Sequence, residues 1–371
     1  MGNFKIIVLK KILNIYLCFL YRAMRVSEQY KNILIGFILK HISLNSNEYH
    51  LFNTVPRGLK YLKNKIIPLD DSNDVAIVIQ GPLITEDNFT FNTIEIFACL
   101  FPKAKIIIST WKNQDVHIKE KLVQKNIYFV ESELPSNVGT LNVNLQIISS
   151  LAGVIQAEKL GCKYVLKIRS DQRITKPLSL SYLINSLNIF KVDPNEVLKS
   201  RLVFLGDLTN TYTNLAFHIS DFIAFGNTQD VFKLYDIPLD LRPYAFKEDV
   251  LNKYKLQYDY IWNHEHDISL QQMPDYLDYN HFINKLMSPE QYIIFEFIKN
   301  HLPFDNNEDY LYLYKDFLKR YVIILDHEHL GLYWYKNFFK YMNLNIYQRG
   351  NRYGKLNHSM WLDLYINHIK V

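Results

Sequence analysis

The sequence predicts an α/β protein built on a doubly wound, mostly parallel sheet, with helical additions at both ends of the chain. From Val75 onward, short apolar runs of strand length alternate with longer amphipathic runs of helix length. The connections are short and are marked by glycine or proline, as at Gly81-Pro82, Pro102 and Gly161. This alternation is typical of strand–helix–strand units, whose right-handed crossovers bring the carboxyl ends of parallel strands to one edge of the sheet.

Each element follows from a run of this pattern. Apolar runs rich in β-branched and aromatic residues predict strands at Val75–Gln80, Lys105–Ser109, Ile127–Val130, Tyr164–Ile168, Leu202–Leu205 and Phe222–Phe225. Amphipathic runs between them predict helices at Phe91–Leu100, Asp115–Lys125 and Leu141–Leu160. Beyond Met287 the chain is aromatic and is predicted to be helical, at Tyr292–Lys299, Tyr310–Tyr321 and Tyr333–Tyr341. We therefore expect a helical N-terminal extension (residues 1–70), an α/β core (71–290) and an aromatic-rich helical C-terminal region packed on the core (291–371).

The N-terminal stretch Phe4–Met24 is strongly apolar, but Lys10, Lys11 and Asn14 interrupt it. It therefore lacks the unbroken apolar run of about 18 residues that a membrane-spanning helix requires. No small-residue cleavage site follows it, which argues against a signal peptide. Two interpretations stay open: an amphipathic helix on a membrane surface, or a helix packed on the core.

The composition excludes some partners and indicates a compartment. The net charge of +5 is mildly basic, and no run of lysine and arginine is dense enough to form a nucleic-acid-binding track. The cysteines, Cys18, Cys99 and Cys162, are odd in number and form no CxxC or Cys/His metal spacing. This usage fits a reducing compartment, so we expect a cytoplasmic protein.

Several common catalytic motifs are absent from the sequence. No GxGxxG follows the first predicted strand and no GxxxxGK(S/T) occurs, which argues against a classical dinucleotide fold and a P-loop NTPase. GxSxG and HExxH are also absent, so serine hydrolases and zincins lack support. Two HEH triplets, at His264–His266 and His327–His329, would bring two histidines to one face for a metal only in a strand. Polar loop clusters explain them more simply.

Polar and small residues follow the predicted strands of the core. These strand ends are Gln80-Gly81-Pro82, Ser109-Thr110-Trp111, Glu131-Ser132 and Arg169-Ser170-Asp171. The last is the most informative, because the apolar run that begins at Lys163 passes into cations and a carboxylate. Open α/β sheets bind their ligands at this edge, and two cations beside one acid suit a phosphate-bearing ligand. A solvated strand end with a salt bridge is the alternative.

A nucleoside diphosphate donor would fit this edge, because a diphosphate leaving group needs its growing charge neutralised by a metal ion or by cations. Asp171 would hold Mg²⁺ or Mn²⁺, while Lys167 or Arg169 faces the phosphates. On a strand that continues that far, these three side chains share one face.

An acceptor hydroxyl would need a base, for which His218, Asp221 and Glu290 compete. His218 and Asp221 precede a predicted strand, and a hydrogen-bonded loop is the alternative interpretation of both. Ser288-Pro289-Glu290 reads as a helix start, and this capping role alone would explain Glu290.

Taken in order, these segments resemble the WavE lipopolysaccharide-synthesis family of bacterial proteins. The resemblance rests on Ile77–Pro82, Phe101–Trp111, Gly153–Arg173, His218–Gly226 and Ser288–Tyr292. It covers Val75 to Tyr292 well and the aromatic C-terminal helices less closely. One departure is Leu145, which stands where the family pattern has an arginine.

The resemblance implies a GT-A-like fold that binds a nucleotide sugar, in a glycosyltransferase of the hexosyltransferase type. It implies action in lipopolysaccharide or surface-glycan assembly, in the cytoplasm or peripherally on the cytoplasmic face of the inner membrane. Arg169-Ser170-Asp171 takes the place of the DxD motif, with Arg169 in the first acidic slot. Only one of the two acids of that motif is therefore present for a divalent cation.

The expected site can now be stated residue by residue. Gln80, Gly81 and Pro82 form the donor-side turn, Ser109 and Trp111 lie near the base or ribose, Asp171 carries the metal or the donor sugar, and Lys167, Arg169 and Arg173 neutralise phosphate. The expected partners are a nucleotide-sugar donor and a glycan or lipid-linked glycan acceptor. Two other classes stay open: a non-catalytic glycan-binding or assembly protein, and a sugar phosphotransferase that uses the same crevice.

Overall fold

In a computed structural model of the protein, the structure describes residues 57–59, 72–112, 127–206, 209, 216–242, 287–304, 309–335 and 356–369. All of them belong to one compact unit, residues 56–371, and residues 1–55 make up a second unit. Apart from residues 57–59, the predicted extension of residues 1–70 lies outside the described residues. The predicted helix at Asp115–Lys125 and the His264–His266 triplet also lie outside them.

The described residues form strands and helices in alternation. The strands are β1 (Val75–Gln80), β2 (Lys105–Trp111), β3 (Ile127–Ser132), β4 (Tyr164–Arg169), β5 (Gln172–Ile174), β6 (Leu202–Leu205), β7 (Ile223–Asn227), β8 (Val322–Leu325) and β9 (Leu332–Trp334). The α-helices are α1 (Phe89–Leu100), α2 (Val143–Lys159), α3 (Ser179–Ile189), α4 (Thr228–Tyr235), α5 (Pro289–His301), α6 (Tyr310–Tyr321), α7 (His327–Leu330) and α8 (His358–Ile369).

Seven of these strands form one sheet, in the order β3-β2-β1-β4-β7-β6-β8. β7 runs antiparallel to β4 and β6, and the other pairings in this sheet are parallel. The predicted α/β class with a mostly parallel sheet is therefore confirmed. β5 and β9 pair with each other in a separate antiparallel ribbon.

Apolar burial explains why the central strands were easy to predict. β1 reads VAIVIQ and is buried along its whole length, as expected for a strand that is covered on both faces. α2 packs on β1 and β2 at Gly153, where a Cβ atom would lie only 2.3 Å from Val78 Cγ1. Glycine therefore lets α2 lie close to the strands whose ends carry the predicted site.

The C-terminal region is not purely helical, which corrects the expectation for residues 291–371. β8 joins the central sheet beside β6, and Leu332–Trp334 forms β9 where a helix was predicted to begin at Tyr333. β8 follows α6 without a break, and it begins directly after the predicted helix Tyr310–Tyr321. The helix start at Ser288 is confirmed, because Ser288 and Gln291 form a capping box.

Within the described part of the chain, no helix combines the length and the hydropathy that crossing a membrane requires.

Candidate functional site

Charged and small residues meet at one edge of the central sheet. β1, β2, β3 and β4 are parallel, so their carboxyl ends lie at the same edge. β7 is antiparallel to β4, so its beginning, directly after Asp221, lies at this edge too. The sheet thus brings Gln80, Trp111, Arg169 and Asp221 to its carboxyl edge.

The centre of this edge is Arg169, whose guanidinium lies between two carboxylates. Arg169 Nε donates to Asp171 Oδ1 at 3.1 Å, and Nη2 donates to Asp171 Oδ2 at 3.1 Å. Arg169 Nη1 donates to Asp221 Oδ2 at 3.0 Å. The Arg169 side chain is 28% exposed, whereas those of Asp171 and Asp221 are 16% and 11% exposed. The Arg169 side chain is therefore only partly buried, and its guanidinium is fixed on two sides.

The charges of this trio stabilise one another. Burial alone would lower the pKa of Arg169, but the charges of Asp221 and Asp171 outweigh burial and raise that pKa above its ordinary value. Burial would likewise raise the pKa of Asp221, but Arg169 and Lys167 hold it below its ordinary value. Asp221 is therefore ionised at neutral pH and serves as a counterion rather than as a proton acceptor.

Lys167 lies beneath the trio and is fully buried. Its Nζ donates to the backbone oxygen of Asp221 at 2.8 Å. With its amide turned to suit its neighbours, Gln146 accepts from Lys167 Nζ and donates to Asp221 Oδ2, both at 3.3 Å. Burial lowers the pKa of Lys167 to about 8, although the charge of Asp221 opposes this shift. Lys167 thus binds the backbone of Asp221 from the protein interior and does not reach the surface.

The turn after β1 packs directly on the residue between Arg169 and Asp171. Gly81 has φ +115°, and a Cβ there would lie 3.1 Å from Ser170 Oγ. Ser170 Oγ donates to the backbone oxygen of Pro82 at 2.6 Å, and Ser170 N donates to that of Gln80 at 2.8 Å. Glycine is required here by its φ, and the turn fixes the backbone that carries the charged trio.

Some predicted ligand contacts are buried and already bonded within the protein. Gln80 Nε2 donates to Ser149 Oγ at 2.9 Å, and Ser109 Oγ donates to the backbone oxygen of Ser149 at 2.5 Å. Trp111 is only 5% exposed. In these positions the side chains of the three residues are buried within the protein.

Arg173 is not brought to the charged trio. Its guanidinium is buried against α1, where Nε donates to Thr93 Oγ1 at 2.9 Å and Nη2 donates to the backbone oxygen of Phe89 at 3.1 Å. It also lies 4.5 Å from the centre of the Phe89 ring. Burial lowers the pKa of Arg173 to about 10. The expected contact of Arg173 with phosphate is thus replaced by a structural role, because strand β5 turns this side chain into the protein.

His218 lies in a strained loop that several elements hold in place. Phe217 has φ +64°, which is uncommon for a residue other than glycine. Gln291 Nε2 donates to the backbone oxygen of Ala216 at 2.8 Å, and Tyr314 donates its hydroxyl to that of His218 at 3.3 Å. His218 itself is half-buried, and its Nδ1 has no hydrogen-bond partner among the described residues. The loop therefore fixes the backbone of His218 and buries the Nδ1 atom of its imidazole.

Glu290 is half-buried in the first turn of α5. Its negative charge is felt by Lys167, where it opposes the burial that lowers the pKa of that lysine. Glu290 is thus part of the same electrostatic environment as Asp221. The helix cap is formed by Ser288 and Gln291, so capping does not require Glu290.

Trp334 is a site residue that the sequence pattern missed. Its indole Nε1 donates to Asp171 Oδ2 at 2.9 Å, although the two residues are 163 positions apart. The alternation of Leu332, Tyr333 and Trp334 after Gly331 is a strand signal, but a run of three residues is too short to distinguish from a helix.

The HEH metal hypothesis is not supported where the structure describes it. His327–Leu330 is the short helix α7, so the two histidines of this triplet do not share a strand face. His327 Nδ1 instead pairs with Glu328 Oε2 at 3.1 Å. The described residues contain no group of three or more His, Cys, Asp or Glu side chains that could hold a metal ion.

The fold is that of an α/β protein with a mostly parallel sheet, and charged side chains lie at the carboxyl edge of this sheet. A family model described as WavE lipopolysaccharide synthesis matches residues 75–371, and the chain belongs to this family. The resemblance seen in the sequence is thereby confirmed, and it extends through the C-terminal region.

Solved structures show distant similarity to the chain. A glycosyltransferase involved in the glycosylation of the major capsid of PBCV-1 shares 14% identity over 75% of this chain and 97% of that chain, with a TM-score of 0.31. The mannosyltransferase PcManGT from Pyrobaculum calidifontis, in complex with GDP-Man and Mn²⁺, shares 12% identity over 49% and 54%, with a TM-score of 0.29. S. aureus TarS shares 16% identity over 42% and 48%, with a TM-score of 0.28.

The chain thus spans about half the length of the PcManGT and TarS structures. No curated protein matches the chain.

Proposed function

We propose that this protein is a glycosyltransferase that moves a sugar from a nucleoside diphosphate sugar onto a lipopolysaccharide or another bacterial surface-glycan acceptor. The observation that carries the proposal is the partly exposed side chain of Arg169, whose guanidinium is held between Asp171 and Asp221 at the carboxyl edge of the sheet. Membership of the lipopolysaccharide-synthesis family supports the glycan as acceptor.

Arg169 acts on the leaving group. An arginine has five N–H donors, and Arg169 directs Nε, one N–H of Nη1 and one N–H of Nη2 to carboxylates. One further N–H on each of Nη1 and Nη2 is therefore available to phosphate oxygens. As the bond between the sugar C1 and the phosphate oxygen breaks, the leaving nucleoside diphosphate gains negative charge, and a preorganised guanidinium stabilises that charge.

The acceptor hydroxyl attacks C1 and loses its proton to a base. Asp221 is poorly suited to this role, because Arg169 and Lys167 hold its pKa low. His218 and Glu290 are the better candidates. Both are half-buried, and neither is one of the two carboxylates that hold the Arg169 guanidinium. Asp171 acts on the sugar donor through Arg169, because its carboxylate orients the Arg169 guanidinium.

The divalent cation expected at Asp171 stays a prediction, and the donor set does not favour it. Both oxygens of Asp171 already accept N–H groups, from Arg169 and from Trp334. A cation at Asp171 would have to displace Arg169 and would find a like charge beside it. No step of the proposed reaction is therefore assigned to a metal.

A panel of nucleotide sugars tests the proposal. Purified full-length protein is incubated with each donor, with Mn²⁺ or with EDTA, and release of nucleoside diphosphate is measured. We expect release from one donor class, and an Asp171→Asn variant that loses at least about 100-fold in turnover. Release of nucleoside monophosphate instead would indicate a phosphotransferase. Absence of both turnover and nucleoside diphosphate binding would contradict the proposal and favour a glycan-binding protein.

A further inference from the structure

The segment 333–335 contacts chain segments on both sides of the site. Trp334 Nε1 donates to Asp171 Oδ2 at 2.9 Å, and Tyr335 N donates to the backbone oxygen of Asp171 at 2.7 Å. Tyr335 also donates its hydroxyl to Asp87 Oδ2 at 2.9 Å, and its ring stacks on Phe89 with centroids 4.4 Å apart. This one segment therefore joins the chain that follows β1 to the chain that follows β4.

The indole ring of Trp334 extends this connection to β7. Trp334 is only 7% exposed, and its ring packs on Phe222 with centroids 4.8 Å apart. Phe222 directly follows Asp221, the second carboxylate that holds the Arg169 guanidinium. One side chain is thus bonded to Asp171 and packed on the residue that follows Asp221.

The position of Trp334 follows from strand pairing. β9 pairs antiparallel with β5, so that Trp334 lies opposite Gln172, the residue after Asp171. The register places the indole N–H over the Asp171 carboxylate, and a slip by one residue would turn it to the other face of the ribbon. The contact is therefore built into the ribbon and does not depend on a flexible side chain.

The two partners of Asp171 approach from different elements. Arg169 donates to both carboxylate oxygens, and Trp334 adds a second donor to Oδ2. Arg169 alone could move together with Asp171 as a rigid pair, because they are only two residues apart. The indole N–H anchors the carboxylate to the C-terminal region and so restricts the plane of the guanidinium.

We propose that Trp334 is a positioning residue, which orients Asp171 and, through it, the Arg169 guanidinium toward the donor diphosphate. This inference rests on the proposed function. Trp334 acts through Asp171 and does not itself touch the reacting atoms. A sub-ångström error in a group that stabilises a transition state lowers turnover more than it lowers substrate binding.

A Trp334→Phe variant tests this role, because phenylalanine keeps an aromatic ring against Phe222 and removes only the N–H donor and part of the ring. We expect kcat to fall about 10-fold or more, with the donor KM within about twofold of wild type, as for loss of a hydrogen bond to a charged group. Trp361→Phe is the matched control. Trp361 is fully buried, and its indole Nε1 donates to the backbone oxygen of Leu318 at 3.1 Å, away from Arg169 and its two carboxylates. Its variant should lower the melting temperature and leave kcat within about twofold.

A double-mutant cycle separates positioning from general stability. If Trp334 acts through Asp171, adding Trp334→Phe to Asp171→Ala should cause no further loss of residual turnover. Equal loss in the Trp334→Phe and Trp361→Phe variants, or full additivity with Asp171→Ala, would overturn the inference while leaving the proposed function intact. A wild-type protein that neither turns over a donor nor binds a nucleoside diphosphate would overturn both.

Discussion

Two arginines of the described part of the chain are each held between two carboxylates, at opposite edges of the same sheet. At the carboxyl edge, Arg169 pairs with Asp171 and Asp221. At the amino edge, where β8 begins, Arg320 pairs with Glu196 at 2.5 Å and with Asp316 at 3.1 Å. The exposed fractions of the two arginine side chains are similar, 28% and 34%. Pairing and exposure alone therefore do not identify a binding site.

The surroundings of the two arginines differ. Arg320 and Asp316 are four residues apart on α6, an arrangement that commonly stabilises helices. The carboxylates around Arg169 come instead from the ends of two different strands, with the buried Lys167 beneath them and Trp334 bonded to one of them. The same chemical trio thus stabilises a helix end at one edge and, in our proposal, binds a diphosphate at the other.

The largest expected difference between the edges is in turnover. Arg169→Gln should lower turnover of the active donor by at least about 100-fold, because the leaving diphosphate loses a preorganised cation. Arg320→Gln should leave turnover within about twofold and lower the melting temperature, because it removes partners of Glu196 and Asp316. Steady-state kinetics and thermal unfolding of both variants provide the measurement. Equal turnover losses in the two variants would remove the distinction between the edges.

The pH dependence should also differ between the edges. Burial lowers the pKa of Lys167 to about 8 at the carboxyl edge, and that of Arg201 to about 10 at the amino edge. Above pH 8, Lys167 loses the charge that supports Asp221, so we expect turnover to fall about 10-fold per pH unit at most as the pH rises. The charged groups that face Lys167 are Asp221, Arg169, Asp171 and Glu290.

The stability contribution of Lys167 has the opposite direction. Its pKa is lower in the folded protein than in the unfolded chain, so the folded state releases this proton first. The penalty of burying the charge is fully present below pH 8 and is relieved as the pH rises above it. Lys167→Met should abolish both the alkaline fall in turnover and this rise in unfolding free energy. A variant that keeps the alkaline limb would assign the titration to another group.

Alanine substitution of one glycine at each edge of the sheet should have a smaller effect on turnover than the arginine substitutions. Gly81 (φ +115°) lies at the carboxyl edge and Gly161 (φ +70°) lies before β4 at the amino edge. Alanine at either position should cost about 1–2 kcal/mol of unfolding free energy, because both backbones are left-handed. Only Gly81→Ala should also lower turnover, by about threefold or more, because its Cβ presses on Ser170 beside Arg169. Denaturant unfolding and kinetics of the pair check this, and an equal effect of Gly161→Ala on turnover would count against it.

Most of the sheet was predictable from the sequence, because strands buried on both faces read as apolar runs between turn residues. Val75–Gln80 and Leu202–Leu205 were located to the residue. β8 and β9 were not, because one has only four residues directly after a helix and the other spans only three residues. Local pattern cannot separate such short runs from helix.

The site was predictable in part for a similar reason. That Arg169 and Asp171 lie at the carboxyl edge follows from the order of strands and helices. The pairing of Arg169 with Asp221 depends on β7 being antiparallel, and the bond from Trp334 depends on the register of β9 against β5. Both are long-range pairings, which no local signal in the chain encodes. Burial of Lys167 and Arg173 likewise became visible only once the strands were in place.

A crystal structure of the protein with its bound nucleotide sugar tests the central claim most directly. The proposal predicts diphosphate oxygens about 2.7–2.9 Å from the outward nitrogens of Arg169, beside the Gly81 turn, with Trp334 still bonded to Asp171. A diphosphate bound elsewhere, with Arg169 still enclosed by Asp171 and Asp221 and touching no ligand atom, would contradict it.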